Sequence, residues 1–170
     1  MQGYNLRTRQ DFTTRLNLGN DMLDEKIFVP TETEADLDYV SDIVREEEGK
    51  GHTRKEVRDM MNTVQGYYWM VMKNEKRVGA IMYMISVMDD YYMEAIKDKK
   101  AILSEGVGIG FSIRVGKMFL DYLFGKTTKI LTIARVKDKG IQIACQKLGF
   151  KKVSIKDDLV FYQKEKVLCH

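Results

Sequence analysis

The sequence predicts an α/β fold: a mixed, mostly antiparallel sheet with a central βαβ unit and helices on both faces. Three observations carry this. Some segments repeat apolar residues with a helical period, and others are short β-rich runs. The two kinds alternate in the order β-α-α-β-β-β-α-β-α-β-β instead of falling into blocks. A glycine-rich turn, Glu105-Gly106-Val107-Gly108-Ile109-Gly110, stands between a strand and a helix, where a right-handed parallel crossover is expected.

Taken in order, residues 1–26 have no period; Arg7, Arg9 and Arg15 are interleaved with Asp11, Asp21 and Asp24. They read as an N-terminal arm, and residues 27–170 as one domain. Ile27-Phe28-Val29 is a short strand closed by Pro30, the only proline. Thr31-Glu32-Thr33-Glu34 has the form of a capping box, opening a helix through Leu37, Val40 and Val44 that ends near Glu48-Gly49. A second box, Thr53-Arg54-Lys55-Glu56, opens a helix with Val57, Met60, Met61 and Val64 on one face and Gly66 as its stop. Tyr67–Met72 reads as a strand buried on both faces. The polar turn Lys73-Asn74-Glu75-Lys76 returns the chain into a strand over Arg77–Met88.

Between Tyr91 and Ser104 the pattern allows two readings. One is a strand at Tyr91–Ile96 followed by a loop, which the pattern favours; the other is a connector followed by a short strand at Ala101–Ser104. Beyond the glycine turn, Phe111–Phe124 is a helix ended by Gly125, and Lys129–Val136 a strand. Asp138 caps a helix with Ile141, Ala144, Cys145 and Leu148 on one face and Gly149 at its end. A last hairpin joins Val153–Ile155 to Leu159–Tyr162 around Asp157-Asp158.

Composition excludes several classes. With 170 residues and 44% hydrophobic content, the chain can bury a sizeable core, and 31% charge with 13 glycines is neither collagenous nor a disordered tract. The net charge of +3 permits a nucleic-acid partner without demanding one. The longest apolar run, Ala80–Met88, is too short to span a bilayer, and no apolar stretch near Met1 reads as a secretory signal. Two cysteines, Cys145 and Cys169, build no disulfide framework, so a cytoplasmic protein is expected. His52 and His170 are isolated, and no metal is expected.

The glycine turn is the chemical feature. Glycines allow several amides to point into one concavity, and a following helix adds positive potential at its N-terminus; a phosphate or diphosphate suits such a place. Phe111-Ser112-Ile113 supplies no third glycine for a dinucleotide fingerprint, and no Gly-Lys-Ser/Thr ending makes a nucleoside-triphosphate loop.

In context, Glu105 through Gly110 resembles the Arg/Gln-x-x-Gly-x-Gly/Ala loop of the GCN5-related N-acetyltransferase (GNAT) superfamily. Asp138 through Lys147-Leu148-Gly149-Phe150 is similar to its last helix, which begins at Asn and ends in Gly-Phe. Pro30 through Leu37 resembles its first helix entry, and the Tyr67–Met88 hairpin its central one. The resemblance covers roughly residues 27–164. It implies acyl-coenzyme A, acetyl-CoA above all, lying in a V-shaped gap between two splayed parallel strands. Its pyrophosphate would be held around Glu105, Gly106, Val107, Gly108, Ile109 and Gly110, with Asp138 at the opposite helix. The acyl group would pass directly to an amine on a small molecule or a protein.

The resemblance also assigns roles. Glu94, on the strand before the loop, is the candidate base, with Glu105 second if that strand lies later. Cys145 stands five residues before Phe150, where the family often has a Tyr acid, and Tyr162 on the last strand is the candidate replacement. Lys97, Lys99 and Lys100 form a basic run beside the loop that could assist with phosphates. The chain departs from the family at Glu105, Asp138 and Cys145. Those departures keep a second reading open, a GNAT-fold binding or assembly module without catalysis; the arm's arginines allow a third, a modifier directed to nucleic acid.

Overall fold

In a computed structural model of the chain, residues 23–48, 53, 55, 56, 58, 59 and 66–168 are described. The expected arm, up to residue 22, lies outside them, as do His52, Met60, Met61, Cys169 and His170.

Seven strands form one sheet in the order β1-β2-β3-β4-β5-β7-β6, where β1 is Phe28–Pro30, β2 Gly66–Lys73, β3 Lys76–Ile85, β4 Tyr91–Lys97, β5 Lys129–Arg135, β6 Lys151–Lys156 and β7 Leu159–Glu165. All neighbours are antiparallel except β4 and β5. The helices are α1 (Glu34–Glu48), α2 (Lys99–Ser104), α3 (Ile109–Phe124) and α4 (Lys139–Lys147).

The alternation of side chains along the strands decides which face each helix covers. Trp69, Ile81, Met93, Ile130 and Tyr162 point to the face that α3 and α4 cover, where they pack with Phe119, Leu123 and Leu148. Met70, Ala80 and Ile96 point to the other face, under Val40, Ile43 and Val44 of α1. At the centre of the larger core, Trp69 meets Phe119 and Tyr122 edge-on, with ring centroids 5.5 Å and 5.8 Å apart.

Local chemistry sets the helix ends. The first capping box is realised two residues later than expected. Thr33 Oγ1 accepts the Asp36 amide at 3.1 Å, and Asp36 Oδ2 accepts the amides of Thr33 and Glu32 at 3.1 Å and 3.2 Å. Thr31, expected to cap, instead donates its hydroxyl to the Tyr68 carbonyl at 2.9 Å and so ties the helix entry to β2. Burial opposes ionisation of Asp36, but those amides and the Arg77 guanidinium, 2.8 Å away, hold its carboxyl below the ordinary value. The Thr53–Glu56 box forms as expected, with bonds of 3.2 Å and 2.7 Å, and residues 55, 56, 58 and 59 are helical.

The segment after β4 corrects both readings of the sequence. Neither a loop nor a strand follows; Asp98 Oδ1 accepts the Ala101 amide at 3.2 Å and caps the short helix α2. Its other oxygen accepts the Tyr39 hydroxyl at 2.9 Å, so a single carboxylate fastens α1 and starts the helix leading into the glycine turn. That helix buries no residue, which is why hydrophobic period did not reveal it.

Gly79 marks the tightest point of the sheet. A Cβ there would run into the Ile96 carbonyl oxygen, a backbone atom with little freedom to move. Gly79→Ala should therefore destabilise the protein by about 1–3 kcal/mol, lowering the melting temperature by several degrees in a thermal unfolding scan.

Candidate functional site

The parallel strands β4 and β5 pair only at Tyr91↔Ile130 and Tyr92↔Leu131. One residue further on, the Thr132 hydroxyl donates to the Met93 carbonyl at 2.8 Å in a buried position. Beyond that bond the strands part. N–H and C=O groups alternate sides along a strand, so those of Ala95 share the β5-facing edge with the Met93 carbonyl. The even-numbered positions turn the other way, as the bond from the Asp98 amide to the Val78 carbonyl at 3.1 Å illustrates. Ala95 thus directs a main-chain donor and acceptor into the gap, and its side chain is exposed.

A cavity of about 470 Å³ occupies this gap, within the range that holds small-molecule ligands. Met82, Glu94, Ala95, Thr132, Ser112 and Cys145 are among its walls. Its far end reaches Val107 and Ile109, and α4 borders it through Asp138, Gly140 and Ile141.

The glycine turn delivers α3 to the mouth of the gap. Gly106 has φ +61, and this left-handed residue lets the Val107 amide return to the Ile102 carbonyl at 3.0 Å, closing off α2. The next four residues differ. Gly108 is the N-cap of α3 with no side-chain cap, and the first helical amide to find a backbone partner is that of Ser112, to the Gly108 carbonyl at 3.4 Å. By helix geometry the amides of Gly108, Ile109, Gly110 and Phe111 are left to point outward together. A Cβ at Gly108 or Gly110 would meet nothing within 4 Å, so the concavity is open.

Glu105, whose charge conflicts with an anion site, is turned away into a 2.9 Å ion pair with Lys76 and is 17% exposed. Lys73 Nζ approaches the carbonyls of Gly106 and Glu105 at 3.3 Å and 3.5 Å. It also stands 5.6 Å from the Phe111 ring centre, with Arg114 at 5.7 Å. Composition and spacing gave no sign of these contacts, because Lys73 and Lys76 lie some thirty residues upstream. Of the lysines named from sequence, Lys97 borders the cavity, while Lys99 and Lys100 are exposed on α2.

The other expected site residues separate. Glu94 lies on the cavity wall, on the sheet face opposite α3, opposite Met82 in register. Asp138 caps α4 by accepting the Ile141 amide at 3.1 Å. Cys145 borders the cavity and is 5% exposed; burial, with a smaller contribution from Asp138, pushes its thiol up to about 11. Tyr162 is buried behind it, outside the cavity wall, with its phenol raised by burial and by Cys145. Among the described residues no group of three or more His, Cys, Asp or Glu is placed to hold a metal ion. No described helix is long and apolar enough to cross a membrane.

Neither a family model nor a curated protein matches the sequence. Solved structures do match in shape. The N-acetyltransferase PseH of Campylobacter jejuni, in complex with acetyl coenzyme A, superposes with a TM-score of 0.60 at 11% identity, covering 82% of this chain and 98% of that one. The fold is that of the GNAT acetyltransferases. A spermidine N-acetyltransferase from Vibrio cholerae gives a TM-score of 0.63 at 15% identity, over 81% of this chain and 94% of its own. The aminoglycoside acetyltransferase AAC(6')-Ib, in complex with coenzyme A, gives 0.63 at 14% identity with the same coverage, 81% and 94%. In this GNAT fold the expected mixed sheet and its central parallel pair are both present.

The raised Cys145 thiol has a consequence for stability. A group whose folded pKa lies above its unfolded value stabilises the fold fully below the unfolded value, near 9, and loses that contribution as pH rises through about 11. Chemical denaturation between pH 8 and 11 should show wild-type stability falling by on the order of 2–3 kcal/mol more than that of Cys145→Ala.

Proposed function

We propose that the protein is an N-acyltransferase that moves an acetyl or other acyl group from acyl-CoA to an amine by direct attack. The observation that carries the reading is the outward set of main-chain amides at Gly108–Phe111, placed at the mouth of an open gap between two parting strands. The amides suit the diphosphate, the gap suits the extended pantetheine arm, and the reactive thioester that acyl-CoA brings would then lie between β4 and β5.

The chain's own groups divide the chemistry. Glu94 accepts a proton from the acceptor's ammonium, directly or through one water, freeing the lone pair that forms the new C–N bond. The Ala95 N–H faces the thioester oxygen and stabilises the negative charge that develops there. When the C–S bond breaks, the second proton of the attacking amine is available to the departing thiolate. Cys145, with a thiol held near 11, is a weaker acid than an ordinary thiol near 8.5, so donating its proton to a thiolate is unfavourable. Tyr162 is screened from the gap by its burial. In this reading both residues pack the wall of the site, and a buried free thiol suits the reducing cytoplasm.

The Lys76 partner of Glu105 favours catalysis over the degenerate-module alternative, since it removes the main electrostatic objection to the loop. Binding to tRNA or duplex that weakens steeply with salt would instead support the nucleic-acid reading.

Gly108→Asp separates binding from folding. Its φ of −93 suits any residue, and Asp is a preferred N-cap, so the unliganded melting temperature should hold or rise slightly. The upward shift that millimolar acetyl-CoA gives the wild type should nevertheless vanish, because the new carboxylate occupies the anion site. Absence of any shift in the wild type would overturn the transferase reading. With an accepted amine in hand, Glu94→Gln should lower kcat by about 10²–10⁴-fold near neutral pH in a steady-state assay while leaving acetyl-CoA binding intact.

A further inference from the structure

We propose that Lys73 and Lys76, the pair that closes the β2–β3 hairpin, are direct ligands for the diphosphate of acyl-CoA. They would supply from a neighbouring hairpin the positive charge that the glycine loop lacks; the proposal rests on the coenzyme reading above.

The two lysines stand directly opposite each other in the β2–β3 register. Like charges in that relation repel and destabilise a hairpin. The turn between them, Asn74-Glu75, places two residues other than glycine at φ 50 and φ 65, in the left-handed region. A hairpin tip selected for stability alone would separate the charges and relax the turn.

Both ammonium groups are directed at the loop. Lys76 pairs with Glu105 at 2.9 Å, yet its side chain remains 66% exposed, so it can turn to a second anion. Lys73 approaches two successive carbonyls at 3.3 Å and 3.5 Å, long for charge-assisted bonds, and an ammonium has three donors. Across the Phe111 ring from it stands Arg114. Three cations therefore surround the entry to α3 against two carboxylates, Glu105 and Glu75. One positive charge remains over, next to four amides that have no helical partner.

Titration calorimetry on the full chain tests this with acetyl-CoA, with acetyl-pantetheine, which carries the same thioester without the diphosphate, and with inorganic pyrophosphate. Lys73→Ala and Lys76→Ala should each weaken acetyl-CoA and pyrophosphate about tenfold, and the double variant about a hundredfold, as expected for lost charge-assisted contacts. Acetyl-pantetheine should bind all of them alike. Glu105→Gln, which frees Lys76 and removes an anion, should tighten acetyl-CoA severalfold. Should the alanine variants fail to fold, Lys73→Gln and Lys76→Gln carry the same expectations with side-chain length kept. A double variant that binds acetyl-CoA as the wild type does would overturn the proposal and leave the coenzyme reading standing. Equal loss of acetyl-pantetheine would reduce the lysines to props for the loop, again sparing the coenzyme reading. A wild type that binds no acetyl-CoA would overturn both.

Discussion

The parting of β4 from β5 is the constraint on which the rest depends. After two paired positions the strands separate, and β4 continues with β3 as its sole strand partner. An unpaired backbone group buried without water or ligand costs about 1–3 kcal/mol, so a gap of this kind persists only if its edges are held apart by something else. Here Thr132 satisfies the last carbonyl before the gap, while the close approach of Gly79 keeps β4 seated on β3. On the covered face α3 and α4 stand on either side of the opening. They touch at Gly116, where a Cβ would meet the Leu148 side chain at 2.8 Å. The cavity is thus a product of strand geometry, with the helices acting as its banks.

Electrostatics at the mouth follow from the same arrangement. Asp98 connects α1 to α2, and α2 carries the chain into the turn whose amides open toward the gap. Because that path is rigid at both ends, Glu105 is presented to the β2–β3 hairpin and not to the concavity. The anion that most departs from the expected loop pattern is neutralised by a part of the chain remote in sequence.

This explains what could be read in advance. Elements whose signal is local appear where the residues place them: the Thr53–Glu56 box, the Asp138 cap, the tight Lys73–Lys76 turn and the helix after Gly108. The first helix entry shifted because Thr31 and Thr33 are equal candidates locally; the Tyr68 carbonyl claims one and leaves the other to cap. The α2 helix had a cap but no buried face, so a reading that relies on apolar spacing passes over it. Within the site, Glu94 was legible from its place on the strand before the turn. The depth of Cys145 and Tyr162 was not, because alternation along a strand tells which face a side chain takes and says nothing of whether that face is core or cleft at that point. The basic hairpin tip was invisible for the related reason that periodicity does not report which turn meets which loop.

The outermost strand has a different bearing. Every residue of β6 is exposed, including Val153 and Ile155 at 61% and 54%. Such an edge could recruit a foreign strand and seed aggregation. Lysines at 151, 152 and 156 and the break in register beside Val153 oppose that, because an incoming chain would have to bury charge against an irregular ladder. At the other margin β1 is three residues long and ends in Pro30, which offers no amide to a newcomer. Both borders of the sheet are thereby closed to polymerisation without any covering helix.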